Sequence, residues 1–497
     1  MAGPTNIRVI FGMKLRQLRS ERKLSLARLS TLTGLSASYL NEIENGKKYP
    51  KVEKIIQIAK ALDVTYDELV SQKLDREHNY LERFLHSPVM QKFPFELFGL
   101  TAHDLVSLVP DAPKEGNALV RALVDTARSY DMQIDNFLHT ALRCYQEINE
   151  NYFEDVEEEV DEFRKTHGWP QDQSVTCELL YDILRREYNF EIDEESLCTH
   201  EHLRTLRSVW MDGSPQKLLV NNQFSPVQKA FVAGRELGFQ WMKLKPRGHC
   251  SPDIEVESFE QVLNAFKASY FASALFMNRE RMRSDMQEFF ARDRWSEKAF
   301  LSLIESYGVT HEMFFYRLCE ILPKFFGLKR LHFLRVDKRV ETGGFELIKQ
   351  LNMSQVRIPT GLDLHEHFCR RWLSVRIIQD LEQRENDVGA IAQVQRSKFI
   401  EGDREFFCIC VARRLVLTEG ELSSMTIGFQ LDNTFKRAVK FWDDSLVPQE
   451  VIGETCERCP LTREECSERA AEPTVYEATQ HRVNQRDELA QLIESEG

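Results

Sequence analysis

The stretch Leu24–Tyr49, LSLARLSTLTGLSASYLNEIENGKKY, constrains the fold more than any other part of the chain. Ser25 and Ser36 each precede a helical pattern, and each carries a hydroxyl that can accept a backbone amide of the first helical turn. Gly34 can adopt the left-handed backbone that a tight turn between two helices requires. Five apolar residues fall on the faces that two crossing helices would bury: Leu26, Leu29, Leu35, Leu40 and Ile43. These capping and turn residues, with the apolar spacing, predict a helix-turn-helix unit.

Helical patterns on both sides of this unit complete a module of five helices. Phe11, Leu15 and Leu18 recur at helical spacing before it, and Thr65–Glu68 forms a capping box near its end. Between them lies another set at helical spacing: Val52, Ile55, Ile56, Ala59 and Leu62. The segment resembles the Cro/C1-type (xenobiotic-response) repressor domain, including its closing IExGKKxP motif at 43–50. We therefore predict a DNA-binding head over 7–74; the alternative is a helical bundle that serves as a protein contact.

The charge distribution agrees with a nucleic-acid partner for this head. Residues 1–74 hold 13 Lys and Arg against seven Asp and Glu, a net charge of +6, whereas the whole chain carries −13, which leaves −19 on the remainder. The resemblance implies that four residues hold phosphates of a double-stranded DNA operator: Ser25, Ser36, Lys47 and Lys48. It leaves four others to meet base edges in the major groove: Ala37, Ser38, Tyr39 and Asn41. The alternatives are a solvated loop for the two lysines and a partly buried core ring for Tyr39.

Composition sets the outer limits of the interpretation. The 497 residues allow about three domains by the length prior, and 42% hydrophobic residues suffice for packed cores. No uncharged apolar run is long enough for a signal peptide or a membrane span, so we expect a cytoplasmic protein that does not enter a membrane. Eleven cysteines, an odd number scattered over a large chain, favour reduced thiols and metal ligands over a disulfide framework.

Residues 75–169 are predicted to form a helical linker that also dimerises. The segment contains more apolar surface than one helix needs, at Tyr80, Phe84, Phe93, Phe95, Leu97, Phe98, Leu105 and Leu108. The acidic run 154–161 keeps Val156, Val160 and Phe163 at helical spacing, which indicates a helix with a solvated acidic face; a cation site is the alternative.

Residues 170–292 resemble the core of ImmA/IrrE-type zinc peptidases, whose HExxH helix holds zinc around a general-base glutamate. At that motif this chain has Arg235-Glu236-Leu237-Gly238-Phe239, so both imidazole positions are lost. The acidic third ligand of that family aligns with Lys267, and an ammonium group cannot ligate zinc. Glu236 is therefore left without an activated water, and we predict a degenerate zincin-like helical domain with no catalytic residues; an active hydrolase with substituted ligands is the alternative.

Residues 293–478 change to mixed helix and strand. Alternating patterns predict strands at 331–336, 345–351, 406–411 and 425–431, and an amphipathic helix over 310–322 that ends at Pro323. Helices around antiparallel strands suggest a GAF-like α+β sensor domain, followed by a C-terminal tail over 479–497. The fold class is therefore mainly α with an α+β C-terminal part.

The cysteines near the end carry the remaining chemistry. Cys456, Cys459 and Cys466 form a C-x2-C-x6-C pattern in a polar segment, which indicates a metal site, and Cys369 is the best fourth ligand. Free thiols without metal are the alternative. The other cysteines are predicted to be core residues: Cys144, Cys177, Cys198, Cys250, Cys319, Cys408 and Cys410.

The order of these parts resembles the short-chain fatty acyl transcriptional regulators over residues 9–475. That resemblance implies a [4Fe–4S] cluster on the C-terminal cysteines, with zinc as the alternative, and an acyl-CoA effector that controls carboxylate metabolism. Two features depart from the family: the six-residue gap before Cys466, and Phe429 where a cysteine is expected. The effector site stays unassigned; five basic residues are possible phosphate ligands or ordinary surface: Lys329, Arg330, Arg335, Lys338 and Arg339.

Three functional hypotheses follow. The first is a homodimeric transcription factor that responds to acyl-CoA and binds a near-palindromic operator. The second is an iron–sulfur redox sensor that controls DNA affinity. The third is an ImmA/IrrE-type metallopeptidase, against which Arg235, Phe239 and Lys267 argue.

Overall fold

The computed structural model describes ten ranges of the chain: 4–44, 47–70, 97, 134–170, 173–359, 366–384, 389–400, 402, 404–415 and 420–496. They belong to two compact units, and each is described by itself. The first unit spans 1–145 with 256–262, and the second unit spans 146–255 with 263–497. Of the eight apolar residues named for the predicted dimerising linker, only Leu97 lies within the described residues. No helix within the described ranges has the length and apolar content needed to span a bilayer.

The head consists of five helices, as predicted. They are α1 (Pro4–Glu21), α2 (Leu26–Thr33), α3 (Ala37–Glu44), α4 (Val52–Leu62) and α5 (Tyr66–Val70). Their core includes Phe11, Leu29 and Leu40, whereas Val52 and Ile56 are 54% and 41% exposed, because Ile58 occupies the inner face of α4 that the pattern gave to Ile56. A Cβ atom at Gly12 would lie 2.3 Å from the Ile43 carbonyl oxygen, so only glycine permits the close crossing of α1 and α3.

Among the residues that the structure describes, two further helices precede the peptidase-like part, α6 (Ile134–Ile148) and α7 (Glu154–Thr166). The acidic run is helical as predicted, and Val156, Val160 and Phe163 are buried. The prediction of a wholly solvated acidic face is wrong at Glu157. This residue is 3% exposed because its carboxylate accepts hydrogen bonds from the buried Arg317 guanidinium, 2.6 and 3.0 Å away.

The peptidase-like part was predicted as a zincin-like helical domain, and the structure adds a four-stranded sheet to its helices. Its elements are α8 (Cys177–Tyr188), β1 (Phe190–Asp193), α9 (Ser196–Thr199), β2 (Ser208–Met211), β3 (Gln216–Val220), α10 (Pro226–Trp241), β4 (Cys250–Ser251) and α11 (Phe259–Phe276). The strand order is β1-β3-β2-β4; β1 and β3 are parallel and the other pairs antiparallel. These strands have only two to five residues, too short for a clear alternating pattern.

The C-terminal part of the second unit is built on a six-stranded sheet with the order β10-β7-β8-β9-β5-β6. The strands are β5 (Leu331–Lys338), β6 (Phe345–Asn352), β7 (Ala390–Phe399), β8 (Glu405–Arg414), β9 (Leu422–Gln430) and β10 (Gln449–Ile452). The helices are α12 (Arg279–Phe290), α13 (Glu297–Glu305), α14 (His311–Phe326), α15 (Leu373–Glu382), α16 (Asn433–Ala438) and α17 (Thr474–Glu496). Only the β10–β7 pair is parallel in this sheet.

This sheet has a separate hydrophobic core on each face. Aromatic residues of α12, α13 and α14 pack on one face, and α15 covers the other, where Cys408 and Cys410 are buried. All four predicted strands are present. Pro323 lies inside α14 rather than ending it, and Gly327, with φ +70°, is its C-cap. Residues 479–496 of the predicted tail continue the helix α17, and the GAF-like label stays a prediction.

Candidate functional site

The helix-turn-helix unit is stabilised at both ends of its turn by the residues that its sequence indicated. The Ser25 hydroxyl accepts the Arg28 amide at 3.1 Å, and the Ser36 hydroxyl accepts the Tyr39 amide at 3.2 Å. Gly34 adopts φ +71° at the end of α2, where its amide donates to the Ser30 carbonyl. Both serines are used as helix caps and remain exposed, so each helix N-terminus faces solvent.

The predicted base-reading residues lie on the first turns of α3. Ala37, Ser38 and Asn41 are exposed, as a surface that enters a groove must be. Tyr39 is half-buried against the head core, and the Lys54 ammonium lies 4.1 Å from its ring centroid. Tyr39 is thus a partly buried ring, and its role as a base contact stays a prediction.

Lys47 and Lys48 follow the end of α3 and are both exposed. Their backbone amides donate to the Glu42 carbonyl at 2.9 and 3.2 Å. The Lys48 ammonium also lies 2.8 Å from the Glu42 carboxylate, and that hydrogen bond raises the pKa of Lys48. One of the two lysines that follow α3, Lys48, is thus engaged in an ion pair within the head.

One structural pair in the head was not apparent from the sequence. The Arg19 guanidinium at the end of α1 donates to both oxygens of Glu44 at the end of α3, at 2.6 and 3.0 Å, and to the Leu24 carbonyl at 2.7 Å. The hydrogen bond from Arg19 to Glu44 raises the pKa of Arg19. This pair holds the end of α3 against the end of α1. Its partners lie 25 residues apart in the sequence, so no local pattern could have indicated it.

The second site is the position of the lost peptidase motif on α10. Glu236 is 3% exposed, and both of its oxygens accept from the Arg247 guanidinium, at 2.7 and 2.6 Å. Gln240 also donates to Glu236, at 2.9 Å. The Arg247 guanidinium carbon lies 3.9 Å from the Phe239 ring centroid and 4.2 Å from that of Trp210. The carboxylate that would act as a general base is therefore neutralised by an internal cation.

The other two positions of the motif also differ from a metal site. Arg235 lies over the Phe239 ring at 5.2 Å, and burial lowers the pKa of Arg235 to about 10. The Lys267 ammonium is paired with Asp155 at 3.0 Å. Within the described ranges, no three His, Cys, Asp or Glu side chains form a group that could hold a metal ion.

Comparisons with known proteins agree with these two sites. Residues 12–74 match the model of a helix-turn-helix domain, and residues 198–319 match that of an IrrE N-terminal-like domain. The head is 46% identical over 61 residues to the HTH-type transcriptional repressor RghR of Bacillus subtilis, of which it covers 45%. It is 36% identical over 66 residues to the control protein C.BamHI of Bacillus amyloliquefaciens, of which it covers 82%. This chain belongs to the helix-turn-helix transcriptional regulators.

Two solved structures are also similar to the regulator. A Mycobacterium tuberculosis transcriptional regulator aligns over 67% of this chain and 93% of its own, with 16% identity and a TM-score of 0.46. The restriction-modification controller protein C.AhdI of Aeromonas hydrophila aligns over 12% of this chain and 92% of its own, with 39% identity and a TM-score of 0.12. The regulator also spans only about half the length of RghR, the relative with the highest identity of those named here.

The third region of the regulator contains the four predicted metal-ligating cysteines. An antiparallel bridge between Phe368 and Thr455 brings two segments of the chain together. The Cys456 amide donates to the His367 carbonyl at 2.8 Å, and the Cys369 amide donates to the Glu454 carbonyl at 3.2 Å. All four cysteines are 4–7% exposed: Cys369, Cys456, Cys459 and Cys466.

The four thiols are gathered in one region but are not arranged as a ligand set. Burial, together with the nearby Cys456 and Cys459, raises the pKa of Cys369 to about 11. The Ala470 amide donates to the Cys456 sulfur at 3.3 Å. Of the cysteines predicted to be core residues, four are buried (Cys177, Cys319, Cys408 and Cys410), two are half-buried (Cys198 and Cys250), and Cys144 is exposed, contrary to the prediction.

A cleft of about 680 Å³ opens beside these cysteines and has Cys459 in its wall. Arg357, Arg404 and Arg458 line it together with apolar residues such as Phe399 and Ile452. Four of the five basic residues named from the sequence as possible phosphate ligands are paired with carboxylates instead: Lys329 with Glu150, Arg335 with Glu312 and Asp337, Lys338 with Glu382, and Arg339 with Glu346 and Glu421. The cleft arginines had no motif that would have identified them.

Proposed function

We propose that this regulator is a homodimeric, ligand-responsive transcription factor that binds a near-palindromic operator. The observation that carries the proposal is the exposed N-terminal face of α3, with Ala37, Ser38 and Asn41 free to meet base edges. The capped N-termini of α2 and α3 offer amides and a positive dipole end to phosphates. A dimer would place two heads about one helical turn apart on the DNA, which is the usual geometry for such heads.

The experiment is a selection of genomic fragments by the full-length regulator at low ionic strength, followed by affinity measurements on the selected site. Specific binding predicts a footprint with two half-sites and a loss of affinity when salt rises. Mass measurement of the complex counts the heads bound. If every fragment binds equally at all salt concentrations, or if none binds, the proposal is wrong.

For the effector we propose a short-chain acyl-CoA, and the cleft beside the cysteines is the best candidate site. Its volume lies within the range of about 300–1,000 Å³ that small-molecule sites occupy. Arg404 donates to the Gln355 carbonyl at 2.9 Å and could also bind a phosphate, whereas Arg357 and Arg458 are paired with Glu454 and Glu366 and would have to exchange those carboxylates for one. Phe399 and Ile452 could contact an acyl chain. Calorimetric titration with acetyl-CoA, propionyl-CoA and free CoA tests this, with Arg404→Ala as the variant and Arg437→Ala, at an exposed position of α16 outside the cleft, as the control.

For the four cysteines we propose a [4Fe–4S] cluster, with zinc as the alternative. Both groups take four thiolate ligands, and these four buried thiols come from two adjacent segments. Their present positions do not form a ligand set, so binding requires the two segments to close around the group. The Ala470 amide that donates to Cys456 would stabilise a thiolate there. When bound, an iron–sulfur cluster would supply redox chemistry, whereas zinc would supply only structural crosslinking.

Anaerobic purification with metal analysis and visible absorption distinguishes these groups. Cys456→Ser should abolish metal binding, and Cys144→Ser, at an exposed cysteine on α6, should not. Operator affinity is then measured before and after cluster loss, with and without acyl-CoA. A response to acyl-CoA supports the first hypothesis, whereas a response to cluster loss alone favours a redox sensor.

A metallopeptidase is the least supported function. Glu236 is engaged by Arg247, and Arg235, Phe239 and Lys267 stand where zinc ligands are needed. We therefore expect no peptide hydrolysis with added zinc. Cleavage that disappears in Glu236→Gln would contradict this expectation.

A further inference from the structure

The position of the lost zinc motif is occupied by the side chain of Arg247. Two side chains of the motif, Glu236 and Phe239, contact the Arg247 guanidinium, and Arg235 lies over the Phe239 ring at 5.2 Å. Glu236 accepts two parallel hydrogen bonds from it, the geometry that a planar guanidinium provides and an ammonium does not. Phe239 and Trp210 offer ring faces at 3.9 and 4.2 Å.

The segment that carries Arg247 is attached to the edge of the sheet. β4 pairs antiparallel with β2, in the register Ser208 with Ser251 and Val209 with Cys250. The Trp210 amide donates to the His249 carbonyl at 2.7 Å, and the imidazole of His249 stacks on the Trp210 indole. At the other end, the Asn264 amide group donates to the Pro246 carbonyl at 2.9 Å. The segment therefore extends the sheet as an added strand does in peptide recognition.

We infer that the former catalytic centre is now a binding site for an alkylguanidinium group, and that Arg247, three residues before the edge strand β4, is its resident ligand. The guanidinium supplies the positive charge that Glu236 needs when buried, as a metal ion would in an active peptidase. With its side chain 8% exposed, Arg247 also closes the centre to other ligands. The inference does not depend on which operator or effector the regulator uses.

The test is chemical rescue in the full-length regulator. Arg247→Gly removes the guanidinium partner of the buried Glu236 carboxylate and leaves a gap beside the Phe239 and Trp210 rings, so the thermal unfolding midpoint of the protein should fall. Methylguanidinium, the probe, should then raise that midpoint saturably at millimolar concentrations, and should leave the unsubstituted protein unchanged. All six tryptophans lie within 169–442, so their fluorescence reports on the second unit alone.

Methylammonium and sodium chloride at the same concentrations are the controls, since they add charge or ionic strength without a planar pair of donors. No rise with methylguanidinium, or an equal rise with either control, would overturn the inference. Lys165→Ala, at an exposed residue of α7, should show neither the loss nor the rescue.

If Arg247→Gly does not fold, a double-mutant cycle with Glu236→Gln and Arg247→Met provides the same decision. A guanidinium site predicts that each single change lowers the unfolding midpoint more than the double change does, because each leaves one buried charge uncompensated. Simple addition of the two losses would reject the site. The cycle needs no added ligand, so it is independent of the rescue experiment.

Discussion

The head and the peptidase-like centre use polar side chains in opposite ways. In the head, Ser38 and Asn41 project from α3 into solvent, where they can be satisfied only by water or by a partner. In the centre on α10, Glu236 is buried and its hydrogen bonds come from Arg247 and Gln240 of the same chain. Exposed polar side chains can still bind a ligand. Buried polar side chains that hydrogen-bond to one another stabilise the fold instead.

This contrast extends to the rest of the second unit. Arg317 is fully buried and binds Glu157 and Glu320, while the Tyr270 hydroxyl donates to Glu157 at 2.8 Å. Removal of one member leaves an uncompensated charge in the interior. Changes to inward groups should therefore alter stability without altering DNA affinity, and changes to outward groups should do the reverse. Four predictions test this separation, from the largest effect to the smallest.

Arg317→Met should have the largest effect. It leaves Glu157 and Glu320 facing each other in the core, so we expect the free energy of unfolding of the second unit to fall by about 3–5 kcal/mol. Urea unfolding followed by tryptophan fluorescence measures it. In the control, Lys165→Met removes an exposed pair with Glu162 and should change that free energy by about 0.5 kcal/mol or less. An equal loss of unfolding free energy in both variants would show that the buried pair stabilises the second unit no more than an exposed pair does.

Ser38→Ala and Asn41→Ala should weaken operator binding without lowering stability. Loss of a base contact costs about 1–3 kcal/mol, so each change should reduce specific affinity by about ten- to a hundredfold. Fluorescence anisotropy on the selected operator and on a scrambled duplex separates specific from non-specific binding. Lys60→Ala, on the exposed side of α4 outside the helix-turn-helix unit, is the matched control. Unchanged specific affinity in both variants would show that α3 does not read the bases.

Glu320 predicts a pH dependence of stability within the second unit. Burial raises the pKa of Glu320 to about 8, and the charge on Glu157 raises it while Arg317 lowers it. The folded state then binds a proton that the unfolded state releases near the ordinary pKa of 4.5, so this stabilisation is lost as pH rises through 8.

Glu320→Gln should remove this dependence. We expect the unfolding free energy of the variant to fall less between pH 5 and 9 than that of the unsubstituted protein. Urea unfolding at several pH values checks it, with Glu305→Gln on α13, at an exposed position, as the control. Parallel pH curves for the variant and the unsubstituted protein would mean that Glu320 is ionised throughout.

The same contrast explains what could be predicted from the sequence. Ser25, Gly34 and Ser36 act on amides within a few residues, so their roles are visible in a local pattern. Arg247 and Glu236 are 11 residues apart, and Arg317 and Glu157 are 160 apart. Nothing local distinguishes such an arginine from a surface one, because its partner is chosen by the tertiary fold. The absence of zinc ligands was predictable, but their replacement by a guanidinium was not.

The smallest expected change in operator affinity concerns Glu42, whose carboxylate lies on α3, the helix that carries Ser38 and Asn41. It holds Lys48 at 2.8 Å, so a phosphate must compete with it for that ammonium. Glu42→Gln should free Lys48 and tighten operator binding by about two- to fivefold at low salt, with a slope of log K against log salt steeper by at most about 1. Glu53→Gln, which removes an exposed acid from the first turn of α4, controls for net charge. If both variants bind the operator equally well, only the overall charge of the head matters. If Glu42→Gln alone binds more tightly, the ion pair between Glu42 and Lys48 is an internally satisfied polar pair in the head, and DNA competes with it for Lys48.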